Sequence, residues 1–338
     1  MKALISRAVG HVEYGDWPEP QLPPGEVLVR VTACGICGTD LHVYRGLPVP
    51  WPLPGVRGHE LAGTVADVAD DVQDFAVGEG VVVQPIVHCG RCRRCRAGLT
   101  NLCANGEMIG GKRPGGHAEF VAVPAERLFR VPASLDLAQA ALTETLATPV
   151  RLFRTHAPAL PQTVAIFGGG PQGLLCLQMA RRAGASRVAV SEVVPQRRAL
   201  AEALGATVVI DPLAEDPAAR VMAMTEGEGA ELVIEAAGNG AARRQALEVV
   251  RWGGVAVFVA IGSGLTEVDF NAVSFKEAQL RGSQAYTDAD FAVALNLLAS
   301  GAIDAEAVVS EASLGDGPAM YEALTRAPGE LVKVLLRP

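Results

Sequence analysis

Six residues, Gly168-Gly-Gly-Pro-Gln-Gly173, constrain this chain more than any others. They follow the apolar run Thr163-Val-Ala-Ile-Phe167 directly and lead into a helix-prone segment, 171–183. Glycines therefore stand at all three positions of G-x-G-x-x-G between a strand and a helix. In that context Gly168 lets the chain turn, Gly170 lets backbone approach a pyrophosphate, and Gly173 lets helix pack on sheet. Pro171 suits a first helical position, and Gln172 lies within the loop. The surrounding pattern agrees. Apolar strands expected at 163–167, 187–191, 207–210, 231–235 and 255–261 alternate with helices at 171–183, 195–204 and 241–250. Short buried strands alternating with helices imply a doubly wound parallel sheet that binds a dinucleotide. Glu192, 19 residues past Gly173, is placed to accept hydrogen bonds from ribose hydroxyls and to repel a 2'-phosphate, which favours NAD over NADP. Arg197 and Arg198 close by temper that preference, with Arg198 read as part of an exposed helix face.

The N-terminal half has a different character. Up to about residue 147, short β-prone runs at 27–33, 63–68, 80–85 and 118–123 are separated by Gly/Pro turns, so this half reads as all-β with loops. With 338 residues, two domains are expected. After 279–285 the alternation fades into helical patches at 288–300 and 318–326 and a strand at 331–336. Pattern alone would let these extend either half.

Four of the seven cysteines, Cys89, Cys92, Cys95 and Cys103, fall within 15 residues, interleaved with Arg91, Arg93, Arg94 and Arg96. The N-terminus lacks the continuous apolar region of a secretion signal, so a cytoplasmic location with reduced thiols is expected, and metal binding is a better reading than disulfides. Four sulfurs close a tetrahedron around Zn2+ and leave no position for substrate, which marks a structural site. The net charge of −8 argues against a nucleic-acid partner, and no apolar run reaches the length of a membrane span.

A second, dispersed set comprises Cys37 in Cys34-Gly-Ile-Cys-Gly-Thr-Asp-Leu-His42, the pair His59-Glu60 after Arg57-Gly58, and Glu144 in Leu142-Thr-Glu-Thr-Leu146. One sulfur, one imidazole and carboxylates form a mixture that binds zinc and leaves a coordination position open. Taken singly, Glu144 reads equally well as an exposed helix residue. His11, His88, His117 and His156 have no motif around them and read as structural.

Taken in order, these segments and the closing Val332-Lys-Val-Leu335 resemble the zinc-containing medium-chain dehydrogenase/reductase family, in particular its sorbitol, butanediol and threonine dehydrogenase branch. The resemblance covers essentially the whole chain. It implies an α/β protein with a GroES-like β-rich catalytic domain (1–147 and 286–338, zinc lobe 89–103) and a Rossmann domain (148–285). It implies two zinc ions per chain, one catalytic and one structural. It further implies that Cys37 rather than Cys34 holds the catalytic zinc, with His59 and a carboxylate from Glu60 or Glu144. Where the family usually has Glu-Pro-Leu, this chain has Glu144-Thr145-Leu146. By the same resemblance Asp40 orients the metal-bound histidine and Thr148 lies beside the nicotinamide. For the chemistry, Thr39 is expected to accept the substrate proton and His42 to pass it toward solvent, the alternative for His42 being a surface histidine. The substrate would be a secondary alcohol, diol or polyol, or the matching ketone, and the assembly a homotetramer or homodimer. Tyr44, Trp51, Phe275 and Tyr286 are candidate pocket residues. Two rivals predict other outcomes: a scaffold using the cysteine lobe for contact, and a zinc-free quinone or enoyl reductase, which would lack both the lobe and the metal triad.

Overall fold

The computed structural model describes residues 1–47, 49–262, 264–326 and 329–338. The chain divides into two compact units, Met1–Ala147 with Thr287–Pro338, and Thr148–Tyr286. Among the described residues no helix is long and apolar enough to cross a membrane.

In the first unit the described residues form a seven-stranded sheet. Its path runs through Leu128–Arg130, Gly80–Val83, Glu60–Val68, Glu26–Gly35, Lys333–Arg337 and Val309–Ser313, and Phe120–Pro124 also pairs with Glu26–Gly35. Alternate residues of these strands, among them Val27, Val29, Val31, Leu61, Val65, Val121 and Val123, point into one buried cluster. That period-two pattern belongs to a sheet with one face on a core. Strands Lys2–Ala8 and His11–Asp16 build a separate small sheet that the sequence reading passed over. The expectation of an all-β half needs correction. Helices Gly38–Tyr44 and Leu137–Ala140 lie within it, and Thr143–Thr155 begins in it. Asp136 starts one of them by accepting the backbone N–H groups of Ala138 and Gln139.

The register of the central strand positions the site. Gly35 pairs with Glu60 on one side and with Leu335 on the other, so the strand Lys333–Arg337 runs alongside the residues that precede Cys37.

The second unit contains a six-stranded sheet, all neighbours parallel, in the order Val208–Ile210, Arg187–Ser191, Thr163–Phe167, Ala230–Glu235, Val250–Phe258 and Gln279–Gly282. All five residues of Thr163–Phe167 are buried, as expected of a strand covered on both faces. Helices Pro171–Arg182, Pro195–Ala203 and Pro217–Met224 each open on proline, whose fixed φ and missing N–H suit the first turn. Most expected boundaries move by one residue, as where the helix read at 241–250 is Gly240–Val249, capped by Asn239; the largest shift is the strand read at 255–261, which is Val250–Phe258. Tyr286, the last residue of this unit, is 1% exposed, whereas Phe275 is exposed.

Candidate metal centre and dinucleotide loop

Cys37 immediately precedes the helix Gly38–Tyr44, and its backbone N–H donates to Asp40 Oδ2 at 2.9 Å. The other Asp40 oxygen lies 3.7 Å from His59 Nδ1. One carboxylate thus touches both Cys37 and His59, which come from different elements. Ligand atoms of Cys37, His59 and Glu60 all lie within 4.8 Å of one another, and His59 and Glu60 are buried. Gly35 makes this possible: a β-carbon there would stand 2.0 Å from Glu60 Oε2, so only glycine leaves room for the carboxylate. Glu144, in the first turn of Thr143–Thr155, is 8% exposed, which corrects the reading of it as an exposed helix residue.

The electrostatics of the cluster suit a cation. Burial disfavours the charged form of His59, yet Cys37, Asp40 and Glu144 outweigh it and raise its pKa well above the usual value. Burial likewise opposes the charge on Glu60, but Lys333 holds its pKa down; Lys333 Nζ sits 2.6 Å and 2.7 Å from the two carboxylate oxygens. Asp40 Oδ1 and His59 Nδ1 are buried without a hydrogen-bond partner among the described residues. Thr39 and His42 follow Cys37 on the same helix, three residues apart and so on one face. Thr39 Oγ1 lies 3.7 Å from Cys37 Sγ. Burial, then the charge of Arg45, lowers the pKa of His42 and favours its neutral form. Among the candidate pocket residues, Trp51 packs edge-on against His59, with ring centroids 5.7 Å apart, while Tyr44 packs on Tyr321.

One contributor, Lys333, carries no signal in the sequence, because nothing local pairs it with a residue 273 positions away. His117, read as structural, is fully buried, with Nε2 3.1 Å from the Gly35 carbonyl and Nδ1 3.3 Å from the Tyr321 hydroxyl.

The second cluster is local. Sulfur separations are 3.5 Å for Cys92–Cys95, 3.5 Å for Cys89–Cys103 and 4.0 Å for Cys92–Cys103, and all four cysteines are free thiols. A tetrahedron with Zn–S bonds of about 2.3 Å has edges of roughly 3.8 Å, so these spacings fit. Backbone N–H groups of Cys95 and Ala104 pull the Cys92 thiol down to about 6. The four arginines are exposed around the lobe.

In the second unit, Gly168 turns at φ +107° directly after Phe167, and Gly170 caps the helix that opens on Pro171. A β-carbon on Gly173 would lie 1.8 Å from the Gly168 carbonyl oxygen, which explains glycine there as a close-packing requirement. Gln172 occupies the first turn of that helix, and Thr148 lies on Thr143–Thr155. Glu192 is 7% exposed and holds two backbone N–H groups, from Gly169 at 2.7 Å and Val194 at 2.8 Å. The guanidinium of Arg197 lies near Gly170, where burial lowers its pKa and Glu192 opposes that shift. Arg198 is no exposed face: it donates to the Glu192 and Val193 carbonyls and pairs with Asp211 at 2.8 Å.

Comparison with known proteins decides the family. Residues 23–133 match the alcohol dehydrogenase GroES-like domain, and residues 171–300 match the zinc-binding dehydrogenase domain. The chain is 38% identical over 290 residues to the 2-dehydro-3-deoxy-L-galactonate 5-dehydrogenase of Pseudoalteromonas atlantica (strain T6c / ATCC BAA-1087), covering 86% of this chain and 84% of that one. The chain belongs to the zinc-containing medium-chain dehydrogenase family. Among solved structures, this dehydrogenase is similar to the 2R,3R-butanediol dehydrogenase from Bacillus subtilis, with a TM-score of 0.91 and 32% identity over 100% of this chain and 99% of that one. It is also similar to a protein from Sinorhizobium meliloti 1021 described as a zinc-binding dehydrogenase bound to NADP, with a TM-score of 0.93 and 35% identity over 100% and 99%. The resemblance read from the motifs and the two-part α/β fold agree with these matches, and the molecule is a dehydrogenase of the alcohol and polyol class.

Proposed function

We propose that this dehydrogenase uses two zinc ions and NAD to interconvert a secondary alcohol, diol or polyol with its ketone. The observation that carries the reading is the convergence of Cys37, His59 and Glu60 around one point, with Asp40 touching the first two. Thiolate, imidazole and carboxylate suit zinc, and three protein ligands leave one position for substrate. The buried, unpartnered Asp40 Oδ1 and His59 Nδ1 fit a centre whose charge is completed by a cation. The carboxylate is Glu60 or Glu144, the former restrained by Lys333.

Zinc held there supplies Lewis acidity that eases loss of an alcohol proton near neutral pH. Thr39 Oγ would accept that proton while its own hydroxyl proton passes on toward His42, whose neutral form burial favours and which would hand a proton to solvent. Trp51 packs edge-on against the buried His59, and the low local dielectric strengthens the electrostatics there. The glycine loop and Glu192 would hold the dinucleotide, which would supply hydride-transfer chemistry, and Thr148 would face its nicotinamide end. Buried Glu192 favours an unphosphorylated ribose, while Arg197 would meet the pyrophosphate side of the loop. The cysteine lobe holds the second zinc and stiffens the first unit. The Pseudoalteromonas relative is named for a hydroxylated sugar acid and the Bacillus structure for a diol, which supports a small polar alcohol as substrate. We also propose that the chain works in the cytoplasm as a homo-oligomer.

The test joins metal analysis to a substrate panel. Close to two zinc per chain, with NAD reduction on secondary alcohols, diols, polyols or threonine, is expected. Full activity after complete zinc removal would reject the reading.

A further inference from the structure

One buried acid of the second unit has no part in the functions described so far. The strand order of the sheet reverses at Thr163–Phe167: the strand that follows it in sequence lies on one side, and Ala230–Glu235 lies on the other. In open α/β sheets the crevice beyond the strand ends at such a reversal is where ligands bind. Glu235 ends the strand that flanks this crevice opposite Arg187–Ser191, and it is fully buried.

Glu235 fastens two loops at once. Its Oε1 accepts the backbone N–H groups of Ala237 at 2.9 Å and Gly238 at 2.6 Å. Its backbone carbonyl accepts those of Val259 at 3.0 Å and Ala260 at 3.3 Å, the residues that leave Val250–Phe258. The turn so held is the wall on which the glycine loop rests. Ala236 N–H donates to the Phe167 carbonyl at 2.8 Å, and a β-carbon on Gly168 would stand 2.8 Å from Ala237 N. The 259–262 segment closes on the same turn, since a β-carbon on Gly262 would lie 1.7 Å from the Gly238 carbonyl oxygen. Three strand-end loops therefore meet at this turn, which the Glu235 side chain holds directly.

We propose that Glu235 is a positioning residue for the dinucleotide, its carboxyl fixing the 236–238 turn so that the loop beginning at Gly168 keeps the shape the cofactor needs. The inference rests on the reading of the glycine loop as a dinucleotide site. The tether needs only an acceptor at Oε1. The second oxygen, Oε2, is buried with no hydrogen-bond partner among the described residues. Burial raises the pKa of the acid, against the pull of the Gly238 and Ala237 N–H groups and of the Arg243 charge. An amide of the same length should replace it, whereas a carboxylate one methylene shorter should not reach both N–H groups.

The experiment titrates NADH and NADPH, followed by fluorescence, into the full chain and into Glu235→Gln, Glu235→Asp and Glu235→Ala, with steady-state KM and kcat for the cofactor on each. Glu235→Gln should bind within about two-fold of wild type, while the Asp and Ala variants weaken by about ten-fold, on the scale of one or two lost hydrogen bonds. The loss should appear in KM for the dinucleotide, with kcat at saturation little changed. A merely structural role would lower the melting temperature and the active fraction but leave that KM alone. Should the Ala variant fail to fold, the Gln and Asp pair carries the same comparison. Equal affinity across wild type and the Asp variant, or a Gln variant as weak as Asp, overturns the tether. A wild-type chain that binds neither dinucleotide overturns the site reading itself, and this role with it.

Discussion

Lys333 and Glu60 form a closed pair inside the first unit: Nζ lies 2.6 Å and 2.7 Å from the two carboxylate oxygens, and the side chains are 3% and 1% exposed. The remaining ammonium donor reaches the Ile36 carbonyl at 3.1 Å, one residue before Cys37. Removing one partner strands a buried charge, which is far costlier than removing both. Lys333→Met should therefore lower the unfolding free energy by about 3–5 kcal/mol in urea denaturation. The double variant Glu60→Gln/Lys333→Met should recover most of that loss. Equal destabilisation in the single and double variants would show that the pair does not act as a unit.

The two cysteine clusters should separate in their effects. Cys37 belongs to a centre assembled from distant elements, while Cys95 belongs to the four-sulfur lobe. Cys37→Ser is expected to abolish turnover and leave NADH affinity near that of wild type. Cys95→Ser should release one zinc and lower the melting temperature, since structural zinc contributes directly to folding. Similar mild losses from both substitutions would contradict the division into catalytic and structural sites.

Glu192 should set the choice of cofactor. Its carboxylate is buried at the glycine loop, with the Arg197 guanidinium near Gly170. Replacing the acid with serine removes repulsion toward a 2'-phosphate and leaves that arginine in place. The ratio of kcat/KM for NADP to that for NAD should rise by roughly ten-fold or more in Glu192→Ser. An unchanged ratio would move the discrimination to other residues.

Gly173→Ala tests the close packing of helix on strand. The added methyl would sit 1.8 Å from the Gly168 carbonyl oxygen, which is backbone and cannot rotate away. Overpacking of this kind costs about 1–3 kcal/mol. Calorimetry should show a lower transition temperature together with weaker NADH binding. A variant with both properties intact would mean that the loop has more room than its backbone allows.

What could be read in advance follows from how far apart the interacting residues lie. The four-sulfur lobe and the glycine loop are contiguous, so spacing alone names their members. The central strands of the second unit, Thr163–Phe167, Arg187–Ser191 and Ala230–Glu235, are almost wholly buried and read as largely apolar runs, whereas the edge strand Gln279–Gly282 is exposed. In the first unit the helix Leu137–Ala140 is a single turn started by Asp136, too short to show a helical period. Glu144 looked ambiguous because an acid early in a helix is ordinarily exposed; here the fold turns it inward.

By itself, the sequence determined the chemistry available: four thiolates in one lobe, three glycines between strand and helix, and a sulfur, an imidazole and acids in the family's order. Tertiary structure alone decided which of those groups meet. Sheet register sets Gly35 between Glu60 and Leu335, and the strand carrying Leu335 also brings Lys333 to Glu60. The same holds for Asp40 facing His59 and for Glu235 beneath the glycine loop. Such pairings depend on strand neighbours and on space left by missing side chains, and neither leaves a local trace in the order of residues.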